Sequence, residues 1–189
     1  RGGEAGGCVT AMGFRISLLA AKADKAAVLS RLGLTDTGQV DAANEAPLSA
    51  AQLPNGWTIV WANDCDWADA RRLDGLTPRP AIATLMAHEG VMAADLRVDD
   101  GASRWSVSYG VDEEGKLAGD WPAAFAPIVA AAQAREREDE SGEVDHLFDV
   151  PVTIMEAITG HRYDAAGDAI FTVVTGVDAV AKRPWWKIF

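Results

Sequence analysis

Between Arg104 and Val111 the chain alternates without exception, Trp105, Val107, Tyr109 and Val111 against Arg104, Ser106, Ser108 and Gly110. A two-residue period with one apolar set marks a half-buried strand, because successive side chains leave a strand on opposite faces. Met92, Ala94, Leu96 and Val98 repeat the pattern upstream, and Asp99-Asp100-Gly101-Ala102 separates the two runs. Asp-Gly favours a two-residue hairpin turn, since both central positions of a type I′ turn need positive φ. With Asp100 and Gly101 as those residues, Leu96 faces Trp105, Ala94 faces Val107, Met92 faces Tyr109 and Arg97 faces Arg104. Facing arginines repel unless Asp95 or Asp99 neutralises them, so the pair reads as a solvated mixed-charge face, with an anion site as the alternative. The nearly continuous apolar run Ala81 to Ala87 ends at His88-Glu89-Gly90. Together the three runs predict a three-stranded antiparallel meander at the centre of the sheet.

Other segments supply strands and helices around it. Phe14 to Ala20 reads as a strand, and Asp24 caps a helix whose stripe is Val28, Leu29 and Leu32 and whose end is Gly33. Thr35 to Pro47 is polar and reads as a connection; Ser49-Ala-Ala-Gln52 has capping-box spacing and predicts a helical turn before Pro54-Asn55-Gly56. Trp57, Ile59 and Trp61 alternate with Thr58, Val60 and Ala62 as a strand, and Asp66 is placed as the cap of a short helix through Leu73. Asp112 to Gly119 reads as a charged turn. A long helical stretch begins at Asp120, with Pro127 as a kink or as the true start. Asp149 and Pro151 open another helix, which Gly160 ends, and Ala169 to Thr175 is the last strand. The class is α+β, a mixed and mainly antiparallel sheet with helices packed on it. Residues 1–11 are expected to be a disordered extension, 12–176 a single α+β domain, and 177–189 a basic, aromatic C-terminal tail that docks on the acidic body.

Composition excludes several classes. The chain has 28 acidic against 17 basic residues, a formal charge of -11, which argues against general nucleic-acid binding and fits a basic protein partner. No run has the length of a membrane span. Cys8 and Cys65 form neither a CxxC nor a zinc pattern, which fits a reducing cytoplasm.

The chemistry-bearing residues are few. His88-Glu89 begins like a zinc-protease helix, but Met92 stands where the second histidine belongs. Asp64, Asp66 and Asp69 lie at a strand tip where carboxylates can hold a hard cation, yet acids at a helix start also cap it and favour its dipole. There is no phosphate-binding loop, no dinucleotide fingerprint and no nucleophile elbow. No cofactor is indicated. Of the seven tryptophans, Trp57, Trp61 and Trp105 fall on apolar strand faces, whereas Trp67 follows a cap and can edge a groove. The expected contact region is an aromatic groove of Trp57, Trp67, His88 and Glu89. The expected function is non-catalytic binding of a protein partner, with a metal-assisted hydrolase using Asp64, Asp66, His88 and Glu89 as the alternative.

The segments FRISLLAAKADKAAVLSRLGL, APLSAAQLPNGWTIVWAND, HEGVM and DHLFDVPVTIMEAITG resemble uncharacterised bacterial proteins of unknown function. The resemblance spans Phe14 to about Tyr163. It implies a bacterial, cytoplasmic origin and no activity or site residue.

Overall fold

The structure is a computed structural model that describes residues 13–110, 115–139, 141, 144–165 and 167–176. The extension at 1–11 and the basic aromatic tail at 177–189 lie outside the described residues.

The most apolar strand organises the sheet. Strand β1 (Arg15–Ala21) is buried along its length after Arg15, which suits a position covered on both faces. Its one buried hydroxyl is satisfied, for Ser17 Oγ donates to the Asp64 carbonyl at 2.6 Å and accepts from Ala68 N at 3.0 Å. Among the described residues nine strands form one sheet in the order β2-β9-β3-β4-β1-β5-β6-β7-β8, and the paired strands run antiparallel. With the helices below, this is an α+β arrangement.

The centre of this sheet is β1, which corrects the expected central meander. Strands β5 (Ile82–His88), β6 (Ala93–Asp99) and β7 (Arg104–Gly110) pair in sequence, but they lie off-centre and continue into β8 (Lys116–Asp120), the edge strand. β6 and β7 keep one polar face with Asp95, Arg97, Ser106 and Ser108, so only their other face can enter a core.

The hairpin register is also corrected. Asp99 faces Arg104, Val98 faces Trp105, Leu96 faces Val107 and Ala94 faces Tyr109. The loop is therefore four residues long. Asp100 closes it, its Oδ1 accepting from Ala102 N at 2.9 Å and Ser103 N at 2.7 Å, while Asp99 Oδ1 accepts from Gly101 N at 3.0 Å. Side-chain closure of this kind competes with the tight turn that Asp-Gly by itself favours. The shift is an even number of residues, so the apolar face stays the apolar face.

Three further strands replace expected loops or turns. β2 (Leu34–Val40) buries only Leu34 and is recognised by its pairing with β9 (Thr172–Gly176), not by any apolar pattern. β8 likewise exposes nearly every residue. β3 (Leu48–Gln52) occupies the capping-box sequence, because the turn at Pro54-Asn55-Gly56, closed by Leu53 N to Trp57 O at 2.7 Å, pairs it with β4 (Thr58–Ala62). Gln52 does cap a helix, but a distant one, its Oε1 accepting from Lys25 N at 2.7 Å.

Two helical layers cover the sheet. On one side lie α1 (Lys25–Leu32) and a 3-10 turn at Ala70–Leu73, burying Val28, Leu29, Leu32, Trp67 and Leu73 against Leu19, Val60 and Ile82. Asp24 caps α1 through Ala26 N and Ala27 N, and Gly33 ends it at φ 67°. Asp69, not Asp66, caps the 3-10 turn, since its carboxylate accepts from Arg71 N. On the other side lie α2 (Ala126–Glu138) and α3 (Asp149–Thr159), over a core that includes Trp57, Ile59, Trp61, Leu85, Leu96 and Val107. Pro127 stands in the first turn of α2, where its missing N–H costs nothing, so it starts the helix and does not kink it. Asp120 ends β8 and begins no helix.

Candidate functional site

Pairing gathers several candidate residues at one end of the sheet. Arg15 stands opposite His88 and Ser17 opposite Ala62, so the Asn63–Asp66 turn after β4 and the His88–Glu89 end of β5 flank the start of β1. Asp64 Oδ1 accepts from Asp66 N at 2.9 Å. Between them Cys65 rests its Sγ 3.8 Å from the Ala87 carbonyl; burial pushes this thiol up, opposed in part by Arg15.

Glu89 ties three distant segments together. Its Oε1 accepts from the Tyr163 hydroxyl at 2.9 Å, its Oε2 accepts from Phe14 N at 2.9 Å, and its own N–H donates to the Phe14 carbonyl at 2.9 Å. Burial, and then the Glu89 carboxylate, raise the Tyr163 phenol well above its ordinary range. Phe14, Trp61 and Tyr163 meet edge to face at 5.2–6.4 Å, and Phe171 extends the set from Trp61 at 6.1 Å. Such contacts add about 0.5–1.5 kcal/mol each beyond burial. This is a folded aromatic cluster clamped by a carboxylate, and both carboxylate oxygens are engaged.

The expected groove residues are not brought together. Trp57 precedes β4 at the level of Ala21 and Ile82, the far end of β5 from His88, about 20 Å away at the strand rise. It lies buried beneath α3's layer, with Lys22 Nζ 5.6 Å from its ring centroid. Trp67 is buried on the opposite side of the sheet beneath Arg72, whose Nε donates to the Trp67 carbonyl at 2.8 Å. Strand alternation separates even the neighbours, for Glu89 bonds into the aromatic layer while His88 projects to the other face.

Asp64 and Asp66 share a turn, but Asp69 is committed elsewhere: it binds Arg71 through both oxygens, and this pairing holds its carboxyl below the usual range. Among the described residues no three His, Cys, Asp or Glu side chains converge closely enough to hold a metal ion. His88, His146 and His161 stand apart. His161 is buried against Phe171 at 5.3 Å with no partner for Nε2, and burial lowers its affinity for a proton.

Arg97 and Arg104 do not face one another. Arg97 pairs with Asp95 at 2.6 Å, whereas Arg104 and Arg79 both bind Asp99 Oδ2, at 2.8 and 2.7 Å. Two features escaped sequence reasoning because they join segments far apart in the chain. One is the Tyr109 hydroxyl donating to the Asp145 carboxylate. The other is a groove of 290 Å³ between α2 and α3, for which the only signal was the i, i+3, i+4 spacing of Ile128, Ala131 and Ala132.

No helix among the described residues is long and apolar enough to cross a membrane. Comparison with family models, with curated proteins and with solved structures finds no match to this chain.

Proposed function

We propose that this chain is a non-catalytic bacterial cytoplasmic binding protein whose acidic surface engages and neutralises a basic protein partner. The observation that carries the reading is how its cations are used. Lys25, Arg71, Arg79, Arg97, Arg104 and Arg162 are each already paired with a carboxylate of the chain, while the formal charge is -11. Such pairs are locally neutral, and acids outnumber bases 28 to 17 across the chain, so the net field is negative, which accelerates encounter with a basic surface and repels acidic ones.

Immobilised protein is used to capture partners from a bacterial lysate at low ionic strength, and the captured protein is purified and titrated against increasing salt. A partner of isoelectric point above about 9, whose affinity falls steeply with salt, is the expected result. A divalent-metal-dependent hydrolase activity abolished by Asp64→Asn and by His88→Ala would replace this reading with the metal-assisted hydrolase.

A further inference from the structure

The groove between α2 and α3 differs from the rest of the acidic surface. Ile128, Ala131 and Ala132 line it from α2, and Val150 lines it from α3. Arg135, one turn further along α2, closes one end together with His146 and Asp149. The polar groups at that end are unequally committed. Asp149 is bonded to Arg162 at 3.0 Å, and His146 Nε2 lies 3.5 Å from Asp139. The Arg135 guanidinium has no side-chain partner among the described residues, in contrast to the six paired cations above. An apolar trough with one uncommitted guanidinium at its end is complementary to a molecule with a hydrocarbon body and an anionic head.

We propose that this groove binds a small amphipathic carboxylate, with its chain along Ile128, Ala131 and Val150 and its carboxylate on Arg135. A volume of 290 Å³ lies at the small end of ligand sites, which matches a short-chain amphiphile such as octanoate.

The probe is octanoate, titrated calorimetrically into the whole protein below its micelle concentration, with acetate and octan-1-ol in parallel. Octanoate binding in the low millimolar range or tighter, with acetate failing and octanol weaker, is expected. Arg135→Gln should weaken octanoate about fivefold and leave octanol unchanged, the size of one partly exposed charged contact. Ala131→Trp, which fills the trough from an exposed helix position, should abolish binding of both. No octanoate binding at several millimolar, or equal octanoate affinity in wild type and Arg135→Gln, would overturn the proposal. So would binding that survives Ala131→Trp in a variant whose circular dichroism is native.

Discussion

Removing the Glu89 carboxylate tests whether that residue holds the fold together. In Glu89→Ala the Tyr163 hydroxyl, on a residue only 7% exposed, loses its acceptor, and a buried donor left unsatisfied costs about 1–3 kcal/mol. Phe14 N lies in an exposed bond, and water replaces its acceptor with little loss. The variant should therefore be destabilised by about 1.5–3 kcal/mol. Tyr163→Phe alone should cost about 1–2 kcal/mol, the range for a hydrogen bond to a charged group discounted for partial exposure. In the double variant no orphan hydroxyl remains, so it should be more stable than the sum of the single losses predicts, with a coupling of about 1–2 kcal/mol. Urea unfolding at pH 7, read by tryptophan fluorescence because Trp61 packs on Tyr163, measures all three losses. Additive losses within about 0.3 kcal/mol would refute the clamp. A stability unchanged in Glu89→Ala would return this residue to the list of free functional groups.

Other consequences are equally direct. Gly101 stands at φ 85° in open space, whereas a Cβ on Gly119, at φ 108°, would lie 2.4 Å from the Ser106 carbonyl oxygen. Gly101→Ala should cost about 1 kcal/mol and Gly119→Ala roughly 2–4 kcal/mol, and chemical denaturation showing equal losses would refute the β7–β8 register. His161 is held neutral by burial, so the unfolded chain binds more protons there than the fold. Its contribution to stability is full above the unfolded value near 6.5 and declines as the pH falls below it, so His161→Leu should flatten the melting temperature between pH 7 and 5. Burial pushes Asp36 up, but bonds from Lys25, Gly38 and Thr172 prevail and hold it at about 2. Its contribution is present above the ordinary aspartate value of 3.8 and fades as the pH falls to about 2, so Asp36→Asn should weaken the fold at pH 6 and leave it unchanged near pH 1.5 in thermal melts.

Legibility followed the physics of each element. α1 was readable because Asp24, the Val28–Leu29–Leu32 stripe and Gly33 are all local to one another, and α3 was readable for similar reasons at Pro151 and Gly160. β2 and β8 were hidden because an edge strand buries so little that it needs no apolar pattern. Ser49 to Gln52 was misread because spacing alone cannot tell a cap for its own helix from a cap donated to another. In the candidate site, His88 and Glu89 were rightly placed at a strand end, but Trp57 and Trp67 were assigned to the same groove because sequence does not say which face of a sheet a connecting loop will cross.

The amino-acid sequence by itself determined the core strands β1, β4, β5, β6 and β7, the helices α1 and α3, the apolar face of each, and the acidic character of the whole, because these depend on the side-chain chemistry and spacing of a few residues. Only the tertiary structure decided the strand order, the length of the Asp99–Arg104 loop and the partners of Glu89, Tyr109 and Asp99. The strand order and the partners of Glu89 and Tyr109 are contests between distant segments, settled by which pairing buries the most apolar surface while leaving the fewest buried polar groups unsatisfied, whereas the loop length is set locally by the Asp99 and Asp100 carboxylates closing on the loop's own N–H groups.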